Sequence, residues 1–304
     1  MIDFRLLEAL LAIEEQGSFS AAARALGTVQ SNVSTRIGKL ESALGAVLVD
    51  RQTGRLTDEG RVVAEHARRI RAELDALPSE VASVRQNVQG QVKVGVIGTT
   101  ARWLVPRLLR AAAERLPGVR LVVVDATTLS LLPRLATGQL DLAVVNLPVT
   151  DPDVQTEPLF EEDHILVVPT SHPLARRKEV GLEELADFPL LLAAPDTAFR
   201  KQLDRDAARF GVELVPMAEI DGLRLLASLA FQGFGPAILP ASAAPPWVGG
   251  DWKRVRLTGV HRRPVGLARR RRGLPTAAAR NIASLIKDVI ATEARAEDGI
   301  RPRL

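Results

Sequence analysis

From Gln30 to Lys39 the chain reads QSNVSTRIGK. On a wheel turning about 100° per residue, Val33, Ile37 and Leu40 fall together and must face a core. Ser31, Thr35, Gly38 and Lys39 point the other way, with Asn32 and Ser34 on the flanks. Such a face is poor for hydrophobic packing but rich in short hydrogen-bonding groups. Groups of this kind reach base edges or phosphates when a helix lies in a DNA major groove. The bland alternative is a solvated helix of a small bundle. A second set of polar groups lies further on. Gly98-Thr99-Thr100 and Thr127-Thr128 each follow a β-rich run and precede a helical one, and Asn146 ends a third run. Hydroxyls and free N–H groups at a helix start suit a carboxylate or phosphate. Thr197 and Arg200 open a helix after PLLLAAP, and Arg200 is the counter-ion expected for an acidic ligand. Ordinary helix capping is the alternative for each threonine, and pairing with Asp196 or Asp204 the alternative for Arg200.

Other chemistries are excluded or unsupported. The absence of cysteine removes disulfides, Cys-ligated zinc, iron–sulfur clusters and thiol redox sensing. The four histidines, His66, His164, His172 and His261, show no metal-ligand spacing, and Gly95 with Gly98 makes no G-x-G-x-x-G fingerprint. A G-x-S-x-G elbow and a Walker A loop are also missing, so neither an enzyme nor a cofactor is expected. No apolar run reaches about 18 residues, and MIDFRLLEALLAIEEQG lacks the layout of a secretory signal. A soluble, cytoplasmic protein is the default.

Formal charge sharpens where a polyanion partner would bind. The net +4 divides into −1 over residues 1–90, −5 over 91–252 and +10 over 253–304. The segment with the groove-like helix is therefore nearly neutral, and local arrangement rather than bulk charge must bring it to DNA. The densest basic run, Arg269 to Arg272, reads as a solvated strand end or a surface assisting assembly or DNA-backbone contact.

The helices and strands that carry these groups can be read from the same residues. Leu6, Leu7, Leu10, Leu11 and Ile13 put one apolar face on a helix over about 3–16, ended by Gly17. Ser18 or Ser20 caps a short alanine-rich helix, Gly27 turns the chain, and Thr28 caps the third helix. Two helices joined by a Gly turn read as helix-turn-helix. Thr57 or Asp58 caps a helix running to about 88. Its Val63, Ala67, Ile70, Leu74, Leu77, Val81, Val84 and Val88 form a heptad seam that wants a partner helix; Pro78 predicts a kink or break. From Gln91 onward, QVKVGVI, RLVVVDA and DLAVVNL alternate with helical segments, and HILVVPT, PLLLAAP, ELVPMAEI and GPAIL form a second set. That order predicts two α/β lobes with a ligand cleft between them.

The stretch GSFSAAARALGTVQSNVSTRIGKLESALG resembles the winged helix-turn-helix of LysR-type transcriptional regulators. It matches at Gly17, Ser18, Phe19, Ala22, Ala23, Leu26, Gln30, Ser31, Ser34, Ile37, Leu40, Glu41, Leu44 and Gly45, and beyond it at Arg51, Leu56, Thr57 and Gly60. VKVGVIGTTARWLVPRLL, LPGVRLVVV, LATGQLDLAVV and GFGPAILP resemble that family's effector domain, which is built like a periplasmic binding protein. The resemblance implies a winged helix-turn-helix over 1–58, a dimerising linker helix over 59–89 and an effector-binding domain over 90–304. Lobe I then takes about 90–163 and 268–304, and lobe II about 164–267. It also implies a homodimer assembling to a homotetramer on a roughly palindromic operator. A small-molecule effector, anionic if Arg200 is its counter-ion, then shifts the DNA contacts. Gln30, Ser31, Ser34, Thr35 and Arg36 become base or phosphate readers beside Asn32 and Lys39, and Arg51 and Arg55 touch the backbone near the wing. Alternatively Arg36 pairs with Glu41 or Glu8, and Arg51 with Asp50 or Asp58. Only four residues separate Arg51 from Leu56, shorter than the family's usual wing, so minor-groove contact by the wing stays open. A regulator or architectural protein that binds DNA without a small-molecule ligand is the competing reading.

Overall fold

The computed structural model describes residues 2–83 and 88–303, with residues 76 and 78–83 described by backbone alone. The chain divides into two compact units, one reaching to Val81 and the other made of most of the remainder.

In the first unit, helix α1 (Phe4–Gln16) starts on Asp3, whose carboxylate accepts the Arg5 N–H. It stops at Gly17, where φ is 73°. That left-handed conformation costs a glycine little because there is no Cβ to clash. Helix α2 (Phe19–Ala25) is capped by Ser18, and its buried Ala22 and Ala23 let neighbouring helices approach closely. Helix α3 (Gln30–Leu44) buries Val33, Ile37 and Leu40, as the wheel requires. Its cap departs from expectation. Val29 holds the cap position with no side-chain bond, while the Thr28 hydroxyl accepts from Asn32 Nδ2 at 2.9 Å. The Thr28 N–H is donated to Ala23 O, which ties it to the end of α2.

The wing is a single antiparallel bridge between Val49 and Leu56. Asp50 N–H donates to Arg55 O and Gly54 N–H to Asp50 O, closing a tight turn. Helix α4 (Asp58–Ser83) follows, with Thr57 Oγ1 accepting the Gly60 N–H at 2.9 Å and donating to Val47 O at 2.7 Å. Gly60 has a steric reason: a Cβ there would overlap the Leu48 carbonyl oxygen. Of the kink or break expected at Pro78 there is no break, since the helix runs continuously through it. Proline removes only one backbone bond, the one to Leu74 O, and the rest of the helical ladder remains.

The seam of α4 is shorter than its heptads. Val63 and Ala67 pack into the first unit's own core, while Ile70, Leu74 and Leu77 are 44 %, 42 % and 54 % exposed. Val88 packs against the core of the second unit, the side chain of Val81 is not described, and Val84 lies outside the described residues.

The second unit holds two six-stranded sheets. Its elements are β1 (Gly90–Ile97), α5 (Gly98–Arg115), β2 (Val119–Ala126), α6 (Thr128–Ala136), β3 (Leu142–Asn146), β4 (Val154–Glu162), β5 (His164–Pro169), β6 (Glu179–Gly181), β7 (Leu190–Ala193), α7 (Ala198–Ala208), β8 (Pro216–Ile220), α8 (Leu223–Phe231), β9 (Ala237–Pro240), β10 (Trp252–Thr258), β11 (Arg263–Arg270), α9 (Ala277–Glu293) and β12 (Ile300–Pro302). One sheet has the order β12-β4-β11-β3-β1-β2 and the other β6-β10-β5-β9-β7-β8. Strands β1, β2 and β3 are parallel, and so are β7, β8 and β9, as β-α alternation demands. Strand β11 runs antiparallel to β3 and β4, and β5 antiparallel to β9 and β10. The antiparallel strands arise because the chain crosses between lobes twice, once at Asp163 and once over 259–262. The second crossover lies upstream of the expected 267/268 boundary, since β11 already pairs in the first sheet from Arg263.

Candidate nucleic-acid interface and effector cleft

Helix α3 presents Gln30, Ser31, Asn32, Thr35 and Lys39 exposed, with Ser34 and Arg36 half-buried beside them. Some of these groups are already engaged. Gln30 Oε1 accepts from Ser20 Oγ at 2.7 Å, which pins it to α2, and Thr35 Oγ1 donates back to Ser31 O at 2.8 Å. Asn32 is held by Thr28. Among the described residues, the side chains of Ser31, Arg36 and Lys39 form no hydrogen bond or ion pair. They are three donor-bearing groups left over for an external acceptor.

Arg51 sits differently from either alternative. It pairs with Glu41 at 2.8 Å, not with Asp50 or Asp58, and donates to Ser34 Oγ at 3.0 Å. Glu41 is thereby taken from Arg36. The Arg55 side chain is exposed and has no partner among the described residues.

Among the residues expected at the effector cleft, the structure brings Thr99 and Thr100 together with Arg263, a residue that no sequence motif marks. Both are buried at the start of α5, and both hydroxyls accept from Arg263 Nη2, at 2.9 and 3.4 Å. Arg263 Nε donates to Glu162 Oε1 at 2.8 Å, and Nη2 pairs with the same oxygen. Glu162 is 0 % exposed, and its other oxygen accepts the Ser242 N–H from the second lobe at 2.8 Å. Glu162 ends β4 and Arg263 begins β11, so this ion pair clasps the two crossovers. The only sequence signal for it is an acid and a base at two strand ends 101 residues apart.

The remaining candidates do local work. Thr127 caps α6 through Ser130, and Thr128 Oγ1 accepts the Asn146 N–H at 3.1 Å. Thr197 caps α7, accepting the Arg200 N–H at 3.2 Å. Arg200 is buried, and its Nε and Nη1 go to Asp204, Glu219 and Ala193 O, tying α7 to β7 and β8. Its guanidinium is thus committed within its own lobe. Asn146 Oδ1 is buried without a partner among the described residues.

His164 lies beside the clasp. Its Nδ1 contacts His261 O at 2.8 Å and its ring packs 5.2 Å from Phe199. Burial, reinforced by the Arg263 charge, pushes the imidazole pKa down to about 4. The unfolded chain therefore holds a proton that the folded one refuses between pH 6.5 and about 4, and stability falls as pH drops through that window. Between about pH 7 and 5 the wild type should lose about 2 kcal/mol more than His164→Gln. Urea titrations at the two pH values check this, and equal losses in both proteins would contradict it.

The basic C-terminal segment is largely spent inside the second unit. Arg256, Arg262, Arg263, Lys287, Arg301 and Arg303 pair with Glu179, Asp163, Glu162, Glu157, Asp163 and Glu161. Arg269 and Arg270 end β11, and Arg271 donates to Pro152 O and Val154 O. The +10 and −5 segments thus offset one another across the fold. Among the described residues no acid or histidine cluster is placed to hold a metal ion, and no helix is long and apolar enough to cross a membrane.

Comparison with known proteins bears on both units. Residues 4–61 match the family model described as "Bacterial regulatory helix-turn-helix protein, lysR family", and residues 85–291 match "LysR substrate binding domain". A "Probable hydrogen peroxide-inducible genes activator" of Mycobacterium leprae is 35 % identical over 299 residues, covering 94 % of both chains. Full-length OxyR from Pseudomonas aeruginosa, in a variant with one cysteine replaced by aspartate, has a similar fold. Its TM-score is 0.74 at 24 % identity, with coverage of 96 % of this chain and 95 % of that one. Full-length CbnR complexed with its target DNA is also similar, with TM-score 0.70, 23 % identity and coverage of 96 % and 100 %.

Proposed function

Since the chain belongs to the LysR-type family of bacterial DNA-binding transcriptional regulators, we propose that it grips a roughly palindromic operator with the exposed face of α3. The observation that carries this reading is the uncommitted trio Ser31, Arg36 and Lys39 beside Asn32, Ser34 and Thr35 on an otherwise well-packed helix. Arg55 adds a backbone contact from the short turn. The partner is double-stranded DNA, the working compartment is the cytoplasm, and the role is regulatory rather than enzymatic. Two copies pair along α4 through Ile70, Leu74 and Leu77, and dimers assemble to a homotetramer. Arg36→Ala should weaken binding to a duplex enriched from randomised DNA by roughly tenfold and leave the oligomeric state unchanged. Unchanged affinity in fluorescence anisotropy would remove Arg36 from the interface.

The effector-binding domain takes a small molecule between its lobes, at Thr99, Thr100 and Asn146 with Arg263 added. With Arg200 committed and Arg263 facing Glu162, the cleft offers an ion pair rather than a lone cation, which fits a small polar ligand better than a strong anion. The Mycobacterium leprae relative is named for hydrogen peroxide, and the Pseudomonas aeruginosa structure carries a replaced cysteine. No cysteine occurs in this sequence, so a thiol-based peroxide response is not available to it. The ligand acts non-covalently, by preferring one arrangement of the assembly on DNA.

A further inference from the structure

Two helices of the first unit converge on the Arg51 guanidinium. Nη1 donates to Ser34 Oγ of α3 at 3.0 Å, and Nη2 donates to Glu41 Oε2 of the same helix at 2.8 Å. The guanidinium carbon lies 5.2 Å from the centre of the Phe19 ring of α2. Glu41 is itself held from the wing side, where its Oε1 accepts the N–H groups of Leu48 at 2.9 Å and Val49 at 3.3 Å. We infer that Glu41 and Arg51 are a positioning pair that presents the Ser34 hydroxyl to DNA as a hydrogen-bond donor. Arg51 then acts through Ser34 and does not itself clamp a phosphate.

The chemistry follows from the number of bonds each group can make. A hydroxyl has one proton and two lone pairs. With a cationic N–H on one lone pair, Ser34 becomes a weaker acceptor and a stronger donor, because chained hydrogen bonds polarise one another. The groups it would favour are guanine O6 and N7, adenine N7, thymine O4 or a phosphate oxygen, and not the amino groups of adenine or cytosine. Arg51, with its charge balanced by Glu41 and its face against Phe19, has little left for counterion displacement. Burial works to raise the Glu41 pKa, but the Leu48 N–H, Arg51 and the Val49 N–H outweigh it and hold the carboxyl below its ordinary range. The pair therefore stays ionised at neutral pH. A Lys at this position would keep the charge but not the planar fork that spans Ser34 and Glu41 together.

The inference rests on the recognition role of α3 and is tested separately from it. Binding to a duplex enriched from randomised DNA is measured by anisotropy across a salt series for the full chain. Arg51→Gln and Arg51→Lys should each lower affinity roughly three- to tenfold, leave the slope of log K against log salt unchanged, and add nothing to Ser34→Ala. Glu41→Gln should likewise lose its effect in the Ser34→Ala background, with a thermal melt of each variant confirming that the unit is folded. Three results would each make Arg51 a direct phosphate contact and overturn the relay. They are a slope reduced by about 0.9 in Arg51→Gln, near-wild-type binding by Arg51→Lys, and multiplying effects with Ser34→Ala. If Arg36→Ala weakens binding and Ser34→Ala does not, the relay fails alone. If neither does, the recognition face itself is misplaced.

Discussion

Arg263→Met should destabilise the second unit by about 3–5 kcal/mol at neutral pH, the range expected when one partner of a buried ion pair is removed. The cost comes from Glu162, which is wholly buried and would keep only the Ser242 N–H as a partner among those seen. Thr99 and Thr100 would also lose the donor they share. Adding Glu162→Gln to Arg263→Met should recover a large part of the loss, because the amide oxygen can still accept from Ser242 while the unpaired charge is gone. Denaturant unfolding of the three proteins decides the matter. A loss below about 1 kcal/mol in the single variant would place this pair with surface ion pairs, which contribute little.

If two copies pair along α4 as proposed, Leu74→Asp should leave the protein monomeric and weaken binding to a two-half-site duplex by about 10²–10⁴-fold, the factor that joining two binding modules supplies. Binding to a single half-site should change far less, since α3 and its core do not involve Leu74. The argument is one of unsatisfied apolar surface. Ile70, Leu74 and Leu77 recur at heptad steps on a helix whose preceding seam positions, Val63 and Ala67, are already packed inside the unit. A carboxylate in a closed helix–helix seam would be buried without a partner. Sedimentation velocity reads the oligomeric state directly. A variant that stays dimeric and binds normally would move the pairing surface off this helix.

Several features were legible in the residues because they are short-range. Gly17, Ser18, Thr57 and Thr197 act within one helical turn, so residue type and spacing nearly specify their hydrogen bonds. The wheel of α3 needed only its own period. The failures have equally local causes. Thr28 does not hold the cap because its hydroxyl is taken by the Asn32 side chain and the helix starts from Val29, and Pro78 sits in α4 without interrupting it because losing one N–H leaves the rest of the backbone ladder in place. Strands β4, β10, β11 and β12 carry no clear strand signal in the sequence because they are polar, mixed segments such as VQTEPLFEE and RPVGLARR, which become strands only beside a sheet built elsewhere.

The helix-turn-helix, the order of two α/β lobes, the exclusion of cysteine chemistry and the outward side of α3 can all be read from residue order alone. Each depends on periodicity, on composition or on hydrogen bonds a few residues long. Which acids hold which of the 34 arginines follows only from the packed fold. Arg51 went to Glu41, Arg200 to Asp204 and Glu219, and Arg263 to Glu162. Long side chains of one charge type are interchangeable along a sequence. A buried carboxylate accepts whichever guanidinium the chain crossovers carry to within about 3 Å of it.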